Sequence, residues 1–433
     1  MKNIKNVQFL KTRGRERGMI KNTVGNRIRV DKKDIVWFFI LICYFESPYL
    51  SRFTVMDTVY TVAKVLSFGF VVVHLRDIYF NSIMALIILI ELSLWVSTFI
   101  AGSSMISVTI QFVSVTSFII IISIMLKKDA ARCIRVLYRI MALLIYINVI
   151  SMLLFPDGLY TATGVVGTKK YYFLGHQNSL GLYATIAIVL GEFRLQTEKK
   201  EKFRLRNLVI LEVISLFYII RVWSVISFIS VAGIIAITFY NRMSKKGWRI
   251  SLVWSLCMNI VIFVLFVIMQ NLQIFSTFLQ KFLNREMTLS GRTQVWAIAF
   301  SSFLQNPIWG VGQGKGYEMF GFATTHNRYL NTMFTGGLVG FILFNALLIL
   351  TCRKLKFSKE TMTQILIAYF TVLFVIIQGE TFDDILFFLL FIFVGSIQYL
   401  RQATIREINR CSVRTNDLHI YNRSVCKWAH RKQ

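Results

Sequence analysis

The sequence predicts an all-α, polytopic membrane protein with about twelve transmembrane helices and one large outer loop that holds an interfacial helix. Three observations predict it. Hydrophobic residues make up 55% of the 433 positions, with only 3 prolines, and the mean hydropathy is +0.59. Apolar runs of about 20 residues, the length a bilayer demands of a helix, recur along the chain. The formal net charge of +28 falls in short clusters between those runs, not on one soluble face, so a nucleic-acid partner does not account for it.

Taken in order, residues 1–34 hold eleven Lys/Arg and no long apolar run, the pattern of a basic cytoplasmic arm rather than a cleaved signal peptide. Nine spans follow within 35–271, centred near 35–51, 55–75, 83–100, 105–126, 134–154, 176–193, 207–222, 224–240 and 250–271. Residues 272–328 form the large extracytoplasmic loop, and three further spans within 329–400 lie near 329–350, 362–379 and 383–400. A basic cytoplasmic tail, 401–433, suits anionic inner-leaflet lipids. With the amino terminus inside, inner segments hold 38 of the 49 Lys/Arg and outer segments 9. That bias predicts a multi-pass protein with both termini cytoplasmic. The six cysteines (Cys43, Cys133, Cys257, Cys352, Cys411, Cys426) are scattered without a CxxC pair, which points away from a disulfide framework or zinc site.

The outer connections carry the chemistry. Residues 155–178 read as a Gly- and Tyr-rich loop with Lys169 and Lys170, ending in His176, Gln177 and Asn178. Arg221 lies in a very short turn. In the large loop, Ser290 is placed to cap a helix starting at Gly291 or Arg292, and Pro307 marks its end. Trp296, Ala299, Phe300, Phe303 and Leu304 form a stripe expected to face lipid. Such a helix sets its free amides and Arg292 at headgroup depth, where a phosphate would bind; the plainer alternative is that Arg292 only snorkels to lipid. Gly310, Gly312, Gly314 and Gly316 fit neither nucleotide-binding glycine pattern, and are read as tight turns that let a substrate approach, with Lys315 beside them. Among the five histidines only His176 and His326 fall outside, and His326, followed by Asn327, is suited to accept a proton from a sugar hydroxyl or to bond to backbone. Asp383 and Asp384 would diverge on a helix, so no metal site is expected.

Together SGR-x3-W (Ser290 to Trp296), NPIWGVGQG (Asn306 to Gly314), THNRYLN (Thr325 to Asn331) and GGLVGFILF resemble the O-antigen polymerase and O-antigen ligase-like superfamily of bacterial membrane glycosyltransferases. FLGHQNSLGLY (Phe173 to Tyr183) resembles that family's entry to its sixth span. The resemblance implies a GT-C-like fold and a cofactor-free, metal-independent inverting transfer. The glycan donor would be an undecaprenyl-diphosphate-linked oligosaccharide, on the outer face of the bacterial cytoplasmic membrane. It implies His326, Arg292 and Arg221 as catalytic residues, with Asn327, His176, Asn178, Lys169, Lys315 and Gly312 around the substrate. Membrane lipids, a chain-length regulator and a flippase of the same pathway would be partners. Within the superfamily a polymerase of capsule, exopolysaccharide or O-antigen repeats is the first expectation; a ligase passing finished glycan to another acceptor is the alternative, and a lipid-linked oligosaccharide flippase a third reading.

Overall fold

In hydrocarbon every backbone N–H and C=O must be satisfied within the protein, and a helix does this without help from neighbours. The computed structural model follows that rule and is nearly all helical. It describes residues 31–164, 167–176, 178–198, 201–244, 251–265, 292–356 and 360–406. Ser290, Gly291, Gln177, the end of the ninth predicted span, and most of the arm and tail therefore lie outside the described residues. The chain divides into Met1–Trp37 and Phe38–Gln433. The first unit contributes the opening of helix α1 (Lys32–Ile42), and the rest of the fold belongs to the second.

After α1 come α2 (Thr54–Val73), α3 (Ser82–Ile100), α4 (Met105–Leu154), α5 (Ser179–Thr197), α6 (Glu201–Val222), α7 (Val225–Met243), α8 (Leu252–Phe263), α9 (Arg292–Gln305), α10 (Lys315–Phe320), α11 (Arg328–Leu355), α12 (Thr361–Ile376), α13 (Asp384–Gly395) and α14 (Ile397–Arg406), which is bent 66° from α13. By length and apolarity five of these can cross a membrane, six if the bent pair counts as one span, and α8 and α12 are shorter apolar helices. The expected count of about twelve is thus not what this measure returns, although each predicted span overlaps a described helix. The first is shorter than expected: α1 ends at Ile42, and the chain then turns through Pro48.

Burial sorts the helices. From Leu386 to Val394, α13 is buried all round, and α5 nearly so; a helix apolar on every face belongs in the middle of a bundle. The outer valines and leucines of α2 are exposed, as on a helix that faces lipid. Its one mid-span charge, Lys64, is buried and paired with Glu46 at 2.5 Å, the partner that an intramembrane ammonium requires. On the side that charge counting makes cytoplasmic, Arg135, Arg194 and Arg204 converge on Glu198, and Arg242 reaches Glu192 and Glu212.

Two helices are broken on purpose. A helix of 50 residues (α4) is far too long for one crossing, at about 1.5 Å per residue. Asp129 leaves helical geometry, and its Oδ1 accepts from Arg132 N at 3.0 Å, capping the second half. In α11 the break is Gly337, at φ 61. The loop before it fills the gap with main chain: Val311 N donates to Phe334 O at 2.9 Å, Gly312 N to Thr335 O at 3.1 Å, Leu338 N to Pro307 O at 2.8 Å and Val339 N to Ile308 O at 3.2 Å. A Cβ on Gly337 would stand 2.3 Å from Ile308 O.

Residues 155–178 are not merely a loop. Tyr160–Gly164 (β1), Gly167–Tyr172 (β2) and Gly175–His176 (β3) form a small antiparallel sheet in the order β1-β2-β3. Tyr160 lies opposite Tyr171, and Tyr171 opposite His176. β-Branched and aromatic residues here favour extended pairing, a signal that the turn-rich reading overlooked.

Candidate active site

Four of the connections that charge counting places outside meet near His326. The turn that carries it is tied down on each side. Trp296 Nε1 donates to Thr325 O at 2.8 Å, and Asn327 Oδ1 caps α11 by accepting from Leu330 N at 3.0 Å. Asn327 Nδ2 donates to Gln378 O and Oε1, each at 3.0 Å. Arg328 N donates to Ile377 O at 2.9 Å. Between these anchors His326 sits at φ 55, a left-handed conformation that a histidine holds only where its neighbours dictate it.

The imidazole is aimed by a buried carboxylate. His326 Nδ1 lies 2.9 Å from Glu380 Oε1, and Asn178 Nδ2 donates to Glu380 Oε2 at 2.7 Å. Ser224 Oγ in turn donates to Asn178 Oδ1 at 2.7 Å. Burial alone would raise the Glu380 carboxyl. The hydrogen bond from His326, with the charge of Arg292 and the hydrogen bond from Asn178, outweighs it and holds Glu380 below its ordinary value. An ionised Glu380 only accepts, so Nδ1 carries the hydrogen and Nε2 keeps its lone pair for a reactant. Arg292 Nη1 donates to Gly379 O at 2.9 Å, placing the guanidinium beside Glu380. His176 feels the same group: burial first, then Lys169, His326 and Arg292, push it down to about 4 against the pull of Glu380. Lys169 reaches the cluster from β2, with its ammonium 5.6 Å from the Phe322 ring centre, and Phe322 packs edge-on to His326 at 5.4 Å.

The structure therefore brings together His326, Arg292, His176, Asn178 and Lys169, and adds Glu380, Ser224 and Gln378, which the sequence reading missed. Arg221 is exposed at the end of α6, three residues before Ser224, and makes no hydrogen bond or ion pair among the described residues. Several expectations need correction. Asn327 is fully buried and its amide is spent on the cap and on Gln378, so it positions the turn. Gly312 approaches the protein itself: a Cβ there would lie 2.8 Å from Thr98 Cα. Lys315 pairs with Glu318 at 3.1 Å within α10 and bonds to none of the clustered residues. On α9, Trp296 and Ala299 are buried with Val295, against α11, because the indole N–H has an internal partner; Leu304 and Ile298 are its exposed large apolar residues. Asp383 and Asp384 do diverge: Asp383 caps α13 by accepting from Ile385 N at 2.9 Å, while Asp384 pairs with buried Arg328.

No curated protein matches the chain. The arrangement of His326 and Arg292 nevertheless coincides with a sequence likeness, for residues 209–345, from α6 to the middle of α11, match the family model described as O-antigen ligase. His176, Asn178 and Glu380 fall outside that region and are joined to it by geometry alone. In residues 209–345, with Arg221, Arg292 and His326 inside them, this integral membrane protein is similar to the O-antigen polymerase and O-antigen ligase-like superfamily.

Proposed function

We propose that the chain is a membrane glycosyltransferase that joins undecaprenyl-diphosphate-linked oligosaccharide units on the outer face of the cytoplasmic membrane. The observation that carries the reading is the His326–Glu380 pair at 2.9 Å with Arg292 anchored one residue away. A hydroxyl of the acceptor sugar attacks the anomeric carbon of the donor as His326 Nε2 takes its proton. The new C–O bond forms as the bond to the diphosphate breaks, with inversion, and the electron pair leaves on the phosphate oxygen. Glu380 stabilises the imidazolium formed at His326. Arg292, together with Arg221, receives the diphosphate; donors of this kind typically contribute about 3–4 kcal/mol each to such a step.

The description of the matching family favours a second reading, transfer of finished glycan to another acceptor. The two share the site and differ in what fills it. Sizing the lipid-linked and surface glycans of cells lacking the protein separates them. Single repeat units on lipid with no long glycan support the polymerase. Long polymer stranded on undecaprenyl diphosphate supports the ligase. Intermediates trapped on the cytoplasmic face would overturn both. Purified His326→Ala protein that elongates glycan at the wild-type rate would remove the mechanism.

A further inference from the structure

We infer that one face of the β1-β2-β3 sheet is the docking platform for the acceptor's sugar chain, a proposal that rests on the glycosyl-transfer reading above. Side chains alternate across a strand, so Tyr160 and Tyr171, paired across β1 and β2, share a face with Lys169, and His176 extends the row on β3. On the opposite face Lys170 pairs with Asp157 at 2.7 Å and Tyr172 donates to Pro156 O at 3.1 Å.

The row is continuous. Tyr49 stacks on Tyr160 at 6.3 Å, Tyr160 on Tyr171 at 4.8 Å and 15°, and Tyr171 meets His176 at 5.7 Å. Arg52 lies 3.9 Å over the Tyr160 ring. Because the rings cover one another's faces, they offer edges and phenol groups outward. The hydroxyls of Tyr49, Tyr160 and Tyr171 have no hydrogen-bond partner among the described residues, and these side chains are only half-buried. Fixed apolar edges with a file of free hydroxyls match the alternating C–H and O–H surface of a pyranose chain.

Continuity with the candidate site says which ligand it is. The row ends at His176, and Lys169 on the same face reaches His326 through Phe322. An oligosaccharide whose terminal hydroxyl lies at His326 Nε2 would extend over this sheet. Stacked rings lose little entropy when a ligand arrives, which suits a site that must hold successive sugars.

The test uses full-length protein in nanodiscs and the lipid-linked oligosaccharide extracted from cells lacking it. A Tyr49→Phe, Tyr160→Phe, Tyr171→Phe triple variant keeps every ring and removes only hydroxyls. It should raise KM about tenfold, with kcat falling less than about threefold, and should weaken binding of the free oligosaccharide, released by mild acid, about tenfold. Unchanged KM and unchanged oligosaccharide binding in that variant would overturn the platform while leaving the catalytic reading intact. Wild-type protein with no affinity for the free oligosaccharide would overturn it too. A His326→Ala control measured alongside separates the two proposals: full turnover there removes the catalytic reading, and oligosaccharide binding then judges the platform alone.

Discussion

Glu380 decides what His326 can do, because a carboxylate on Nδ1 fixes both the tautomer and the direction of the ring. Replacing it by Gln keeps an oxygen for Nδ1 and the size of the side chain, but removes the charge that supports an imidazolium. Turnover by Glu380→Gln should fall about 100-fold with KM changed by less than about threefold, measured as elongation of lipid-linked glycan by purified protein. Arg292→Lys keeps the charge but loses the planar fork, and since one arm is already spent on Gly379 O, kcat/KM should drop about 10- to 100-fold. His176 yields a pH prediction. Its folded value, about 4, lies below the ordinary 6.5, so the unfolded chain takes up a proton that the folded one resists. The stability this contributes is complete above about pH 6.5 and is lost as pH falls toward about 4. Glu380, held low, acts in the same direction. The thermal midpoint should therefore drop between about pH 7 and about pH 4.5, and less in His176→Gln; an equal drop in both would deny His176 that part. Sequence alone marked His326, Arg292, His176 and Asn178 by their side of the membrane. Glu380 escaped because its meaning lies in a partner 54 residues away, and because it stands among Asp383 and Asp384 with nothing local to distinguish it.

Among the elements, α11 and the loop before it behave as one unit. The glycines of NPIWGVGQG were legible as sites of tight turning but not as the fillers of a break, since nothing in GGLVG states that the helix parts at Gly337 rather than Gly336. The structure discriminates between them: Gly336 has open space where a Cβ would go, while Gly337 faces the Ile308 carbonyl. Gly337→Ala should abolish folded protein or lower its midpoint by several degrees, and Gly336→Ala should leave it within a degree or so, by size-exclusion profile and thermal melt in detergent. The small sheet was missed for a different reason. Period-two alternation over five or six residues is faint beside apolar runs three times as long, and β3 is fixed by pairing with β2, not by its own two residues.

At the scale of the molecule, His176, Asn178, Ser224, Arg292, His326 and Glu380, drawn from separate connections, converge at one site, while the Arg-rich connections pair elsewhere, with Glu198, Glu192 and Glu212. In whole cells, cysteines placed at Arg221 and Lys315 should react with a membrane-impermeant maleimide, and one at Lys354 should react only after permeabilisation. The reverse pattern would invert the topology and remove lipid-linked substrates of the outer leaflet from consideration. The splice between the NPIWGVG loop and α11 has a consequence of its own. It is welded by main-chain atoms, so most of its side chains are free to drift in evolution without loosening the joint. Proteins of this build would then diverge until little but scattered glycines marks the joint, and relatives should be recognised sooner by where their backbone breaks than by the letters that surround it.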